Sequence, residues 1–156
     1  MNRHDVAELG RSRVEADLQR AGLTVARAPQ GDGPHHLIAQ AALGTSPPRK
    51  IHRPIRVKAA TESSFTVWRA WAQPPDLLLV YAWYVTEPAE AETYALTYPE
   101  AEEITRRLGW QSSPSWQVKG GYGTTKAAQH SVLSRLLAPY RMTPETWWTK
   151  VTRIAR

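Results

Sequence analysis

Two cations set two residues apart, Arg56 and Lys58, are the side chains of this sequence best suited to binding chemistry. They lie within residues 54–60 (PIRVKAA), an apolar run that predicts a short strand. Because successive side chains of a strand point to opposite faces, both cations share one face and the apolar residues between them point into the protein. A guanidinium beside an ammonium is suited to hold a phosphate or another anion.

The apolar pattern of the chain predicts the elements that position this strand. Apolar residues at helical spacing indicate a first helix over residues 6–21, which Gly22 ends. Strands are predicted over residues 23–28, 35–43, 54–61, 76–85 and 94–98, and further helices over 100–108, 126–137 and from 143 towards 154. Loops are expected over 44–53 and 109–125, and a short helix or irregular crossover over 63–73. The continuous hydrophobicity of residues 76–85 indicates a central strand covered on both faces.

Length and composition limit the class of protein. The 156 residues fit one domain with a substantial core, so we expect a single domain over residues 1–156. The absence of cysteine excludes disulfides and thiolate metal sites. No apolar run reaches the roughly 18–20 residues that cross a bilayer, and the N-terminal residues lack a signal-peptide core. We therefore expect a cytoplasmic protein with no membrane partner.

The charge is positive and unevenly distributed. The formal net charge is +6 and the pI is near 9.9, which favours a nucleic-acid partner. Residues 49–58 carry five Lys or Arg and no acid, whereas residues 87–103 carry six acids and no base. From residue 104 to the end, nine Lys or Arg accompany the single acid Glu145. The alternative interpretation of each cluster is a solvated face without a ligand.

Three short matches occur in the order expected for one enzyme family. The first is Gly10-Arg11 on the first helix, followed by apolar residues and Gly22 at similar spacing; the second is residues 33–39 (GPHHLIA); the third is residues 55–58 (IRVK). Over roughly residues 7–98 the chain resembles the core of the PD-(D/E)XK nuclease superfamily, the restriction-endonuclease-like fold. The resemblance implies an α/β (α+β) fold with a helix before a mixed central sheet of about five strands. Residues 99–156 are then a basic, Trp-containing helical extension.

The resemblance also implies which positions carried the catalytic groups. Active relatives hold Mg²⁺ with carboxylates from the helix and two strands, and a lysine assists the attacking water. In this sequence the carboxylate positions correspond to Arg11, His36 and Arg56, and only Lys58 is retained. Because these side chains repel or do not attract a hydrated cation, we expect a nuclease-like scaffold that binds no metal and does not cleave.

The site prediction follows from these replacements and from the basic clusters. The residues predicted to contact nucleic acid are Arg11, His36, Arg49, Lys50, Arg53, Arg56, Lys58 and Lys126. The last of these follows a glycine-rich segment whose amides could contact a nucleic-acid backbone. Three acids could instead rebuild a Mg²⁺ site by migration: Glu15, Asp32 and Glu62.

Seven tryptophans are a further feature of the sequence. Those that flank the apolar strand, Trp68, Trp71 and Trp83, are expected in the core. Trp110, Trp116, Trp147 and Trp148 lie in the basic C-terminal third. Most of these four are also expected to pack in the core, with base stacking as the alternative.

Three functions remain open at this point. The first is a nucleic-acid-binding protein without cleavage activity, with DNA favoured over RNA. The second is a Mg²⁺-dependent endonuclease with relocated ligands. The third is a protein-interaction subunit of a defence or mobile-element assembly, with a protein partner or a homodimer.

Overall fold

The computed structural model describes residues 1–29, 35–125 and 130–153, which form a mixed five-stranded sheet with helices before and after it. Its helices are α1 (Arg3–Arg20), α2 (Tyr98–Arg107), α3 (His130–Leu137) and α4 (Pro144–Thr152). Its strands are β1 (Thr24–Arg27), β2 (Leu37–Leu43), β3 (Arg49–Ala59), β4 (Ser64–Trp68), β5 (Leu78–Trp83), β6 (Glu92–Thr97) and β7 (Gly121–Thr125). Short helical turns lie at Arg69–Ala72, Trp110–Ser112, Ser115–Lys119 and Ala138–Tyr140.

The central sheet has the order β1-β2-β3-β5-β6. All neighbouring strands are antiparallel except β3 and β5, which are parallel and joined through β4. A separate two-stranded sheet pairs β4 with β7. The predicted fold class, a mixed sheet of about five strands with a helix before it and C-terminal helices after it, is confirmed.

Helix α1 packs closely on one face of the sheet. Its N-terminus is capped by the Asn2 side chain, which accepts a hydrogen bond from the main-chain N–H of Asp5 at 2.9 Å. Val14 and Leu18 are fully buried on the side that faces the sheet. At Gly10 a Cβ atom would lie 2.3 Å from the Cβ of Ala59, so only glycine allows the helix to approach β3 this closely.

Two apolar cores cover the two faces of the sheet. The first lies between α1, α4 and one face, and its members include Ile55, Val57 and Val80. The second lies on the opposite face of β5 and β6, under β4, α2 and α3. All six residues of β5 are buried, which confirms a strand covered on both faces. The alternation predicted for β3 is also confirmed, because Ile55 and Val57 are buried while Arg56 and Lys58 lie on the other face.

Three element predictions were wrong. Residues 49–53 belong to β3 rather than to a loop, because they pair with β2 in a hairpin (Leu43↔Arg49). Residues 63–73 were predicted as a short helix or an irregular crossover; residues 64–68 instead form β4, since Phe65 and Val67 alternate inward against the second core, and only Arg69–Ala72 form a helical turn. Residues 109–125 contain two helical turns and β7 rather than a continuous loop.

The tryptophans divide unevenly between core and surface. The buried ones are Trp71, Trp83, Trp110, Trp116 and Trp147, as expected for most of them. Trp148 is half-buried against the first core. The core prediction for Trp68 was wrong: this side chain is 40% exposed. Across the described ranges, no helix has both the length and the apolar character to cross a membrane.

Candidate anion-binding site

The site forms where the ladder between β2 and β3 ends. β2 begins at Leu37, opposite Ile55, while β3 continues to Ala59 alongside β5. His36 closes this edge: its main-chain N–H donates to the Ile55 carbonyl at 2.7 Å, and its Nδ1 accepts the main-chain N–H of Val57 at 3.0 Å. Nδ1 therefore carries no proton, so the neutral ring presents its N–H at Nε2.

An open cleft of about 560 Å³ lies beside this edge, between the N-terminal half of α1 and the end of β3. Its hydrogen-bond donors include the side chains of Arg3, Arg11, His36, Arg56 and Lys58. We call this set the basic cleft. Glu62 is the one acid among the described residues that line it. All five named side chains can donate hydrogen bonds, so the cleft is suited to an anion with several acceptor oxygens.

Electrostatic coupling shows that these groups share one environment. The pKa of His36 falls to about 4, first because of burial and then because of the charges of Arg56, Arg11 and Lys58. The pKa of Lys58 is lowered by burial, by Arg56 and by Arg3, although the side chain reaches solvent. His36 is thus neutral at pH 7, and the surrounding cations repel one another. An anion in the cleft would relieve this repulsion.

Two of the cations are held in position by neighbouring side chains. The Arg56 guanidinium carbon lies 4.9 Å from the ring centroid of the buried Trp71, a cation–π contact. Arg11 contacts the Glu8 carboxylate at 3.3 Å one helical turn away. That pair is partly exposed, so a phosphate can compete for the guanidinium at modest cost.

The basic face of β3 extends beyond the cleft. Lys50, His52, Arg56 and Lys58 lie on the same side of the strand by alternation, and the first two are exposed. The neighbouring positions of β1 and β2 on this face are Thr24, Ala26, Ile38, Gln40 and Ala42, none of them acidic. From Lys50 to Lys58 this face measures about 26 Å, at about 3.3 Å per residue.

The structure brings together four of the residues that the sequence predicted for the site: Arg11, His36, Arg56 and Lys58. Arg49 and Lys50 are exposed at the other end of β3, outside the cleft. Lys126 lies outside the described residues. Arg3 was missed, because a single arginine near the start of the helix has no distinguishing pattern until the helix is placed against β3.

Arg53 does not belong to the cleft. It is 5% exposed, and its guanidinium donates to the carbonyls of Val151 at 3.0 Å, Asp76 at 3.1 Å and Arg153. These contacts tie the end of α4 to β3 and to the segment before β5. Arg53 therefore has a structural role and is out of reach of a ligand.

The acids considered as alternative metal ligands do not assemble in the described part of the chain. Glu15 lies one helical turn beyond Arg11 and pairs with Arg27 at 2.8 Å, and it is not among the residues that line the cleft, whereas Glu62 is. Asp32 lies outside the described residues. Within the residues that the structure describes, no three His, Asp or Glu side chains could share a metal ion. A cleft of guanidinium and ammonium donors does not fit Mg²⁺, which requires oxygen ligands.

Comparison of the chain with protein-family models, with curated proteins and with solved structures finds no match. The assignment of function therefore depends on the geometry and charge of the cleft.

Proposed function

We propose that this protein binds nucleic acid, with a backbone phosphate held in the basic cleft, and that it does not cleave the strand. The observation that carries the proposal is the convergence of Arg3, Arg11, Arg56 and Lys58 around His36 in one open cleft. Cations this close together repel one another, and a bound anion offsets that repulsion. A phosphate supplies several charged oxygens that match guanidinium donors.

A polyanion fits the surface better than a single small anion. The exposed Lys50 and His52 continue the same face of β3 away from the cleft, and the adjacent β1 and β2 positions add no negative charge. A chain of phosphates can contact the cleft and this face together, releasing a counterion for each contact. The overall net charge of +6 supports the same class of ligand.

The absence of cleavage follows from the residue types in the cleft. The positions that would have to supply carboxylates carry Arg11, His36 and Arg56, and a third cation, Lys58, lies beside them. A divalent ion among these groups would be repelled rather than bound. We expect plasmid and linear DNA to remain intact with Mg²⁺ or Mn²⁺, and nicking that Lys58→Ala abolishes would contradict this.

The binding test is a fluorescence anisotropy titration with labelled DNA and RNA oligonucleotides at several salt concentrations. Log affinity should fall linearly with log salt, because binding releases counterions, with a slope near −0.9 for each phosphate neutralised on a duplex and about −0.7 on a single strand. Arg56→Gln and Lys58→Gln should each weaken binding to all sequences and reduce the magnitude of the slope by roughly 1.

The matched control is Arg20→Gln, which removes the same charge from the same helix as Arg3 and Arg11. Arg20 lies 17 residues beyond Arg3, about 25 Å away at 1.5 Å per residue. This variant should leave both affinity and slope unchanged. If binding is undetectable at low salt, or if all single-charge variants behave alike, the basic cleft is not a nucleic-acid site.

A further inference from the structure

The exposed Trp68 is the most unusual apolar side chain near the cleft. It ends β4, where Phe65 and Val67 point into the second core and Ser64, Thr66 and Trp68 point outward. Ser64 itself lines the basic cleft. Trp68 therefore lies on the same strand face as a cleft residue, about 13 Å further along β4 at about 3.3 Å per residue.

The partner strand leaves this indole open to a ligand. Gly121 lies opposite Trp68 and Gly123 lies opposite Thr66. A Cβ on Gly121 would lie within 2.8 Å of three atoms of the Trp68 ring, so the indole rests directly on the main chain of β7. One side of the ring is supported by main chain, and the residue as a whole remains 40% exposed. This is the arrangement of a stacking platform.

A planar ring next to phosphate-binding cations distinguishes between forms of nucleic acid. In a duplex the bases are paired and stacked on one another, and only their edges are accessible in the grooves. In a single strand a base can turn away from its neighbours and stack on an aromatic side chain. Phosphates in the basic cleft and a base on Trp68 are therefore compatible only with an unpaired strand.

We propose that the ligand is single-stranded nucleic acid, with a phosphate in the basic cleft and a base stacked on Trp68. This inference rests on the proposed function, because it takes the cleft to hold a backbone phosphate. It adds the form of the nucleic acid and a residue that contacts a base. Stacking of this kind tolerates any sequence, since every base has a flat π-face.

The experiment compares labelled dT₂₀, labelled rU₂₀ and a labelled DNA hairpin duplex at one salt concentration, with wild type and Trp68→Leu. Leucine keeps apolar cover over Gly121 but cannot stack. We expect dT₂₀ or rU₂₀ to bind more tightly than the duplex. Trp68→Leu should weaken single-strand binding roughly 5- to 150-fold, the range for loss of one stacked base, while leaving the salt slope and duplex binding unchanged.

Two further variants and one spectroscopic measurement complete the test. Trp68→Phe should retain most of the single-strand affinity. Val118→Ser should not change the affinity; it alters a different exposed apolar residue, in the C-terminal third of the chain. Should Trp68→Leu fail to fold, quenching of tryptophan fluorescence by unlabelled dT₂₀ that is present in wild type and reduced in Trp68→Phe reports the same contact.

The possible failures are distinguishable. Three outcomes would overturn the stacking inference while leaving the phosphate site intact: equal affinities for duplex and single strand, unchanged single-strand binding by Trp68→Leu, or absence of quenching. If neither form of nucleic acid binds at low salt, the proposed function fails together with the inference.

Discussion

Replacing Arg53 with lysine separates the two kinds of cation on β3. Arg53 lies three residues before Arg56, yet it points to the opposite face and is buried. Lysine keeps the positive charge but offers one ammonium in place of a planar fork. The variant therefore tests whether Arg53 acts through its geometry or through its charge.

The magnitude follows from the three carbonyls that Arg53 holds. Hydrogen bonds to a charged group contribute about 1.5–3 kcal/mol each, and lysine can remake one of the three, so the loss is about 3–6 kcal/mol. The carbonyl of Arg153 lies just beyond the end of α4, where local fraying can give it water, so we expect the lower end, about 3 kcal/mol. At about 2–4 °C per kcal/mol for a chain of this size, the melting temperature should fall by roughly 6–12 °C.

The assay is thermal and urea unfolding by circular dichroism, followed by the salt titration at a temperature where the variant is folded. The affinity and the salt slope of Arg53→Lys should both equal those of wild type, whereas the Lys58→Gln slope is reduced. A melting temperature within about 2 °C of wild type, which corresponds to less than about 1 kcal/mol, together with weaker nucleic-acid binding would show that the Arg53 guanidinium contacts the ligand. That result would refute the structural role assigned to it.

Two further predictions concern the elements that build the cleft. Gly10→Ala places a Cβ 2.3 Å from that of Ala59, and this overpacking should lower the free energy of unfolding by about 1–3 kcal/mol. The higher helix propensity of alanine offsets roughly 1 kcal/mol of that loss. Adding Ala59→Gly removes the atom that the new Cβ meets, so urea unfolding of the double variant should show that the stability lost to overpacking is recovered. If the effects of the two substitutions on the free energy of unfolding simply add, the close approach of α1 to β3 is contradicted. The pKa of His36 is about 4 in the folded protein against a usual value near 6.5, so the unfolded chain binds the proton first and stability should fall as pH drops from 6.5 towards 4. His36→Asn, whose carbonyl can accept the same Val57 N–H, should flatten the pH dependence over that window, and an unchanged pH profile would assign it to other groups.

The sheet and the central pair of cations could be predicted because each depends on a local pattern. The alternation in residues 54–60 placed Arg56 and Lys58 on one face, and the continuous apolar run before Trp83 indicated an interior strand. The grouping of Arg11 and His36 with this pair came from the resemblance to a nuclease core, which remains a proposal. Their proximity in the cleft is a finding of the structure.

The errors at Arg53 and Trp68 have one physical cause. Successive side chains of a strand point alternately to the interior and to the surface. Where a strand is not recognised in the sequence, this alternation cannot be used to predict which side chains are buried. Arg53 was assigned to a loop, although continued alternation from Ile55 places it on the inward face of β3. Trp68 was assigned to the core by hydrophobicity, although alternation from Phe65 and Val67 places it outside. Composition alone favoured an exposed arginine and a buried tryptophan, and both expectations were reversed.

The cleft itself could not be located from local patterns, because it depends on where β2 begins. If β2 paired with β3 for two more residues, main-chain partners would occupy the edge at Val57 and the strand would exclude α1 side chains from it. Instead β2 begins at Leu37, and the side chain of His36 takes the place of the next main-chain acceptor. This substitution ends the ladder without leaving a buried N–H unpaired. It also explains why a neutral histidine lies among cations: its Nδ1 accepts a main-chain hydrogen bond, and its remaining N–H adds one more donor to the basic cleft.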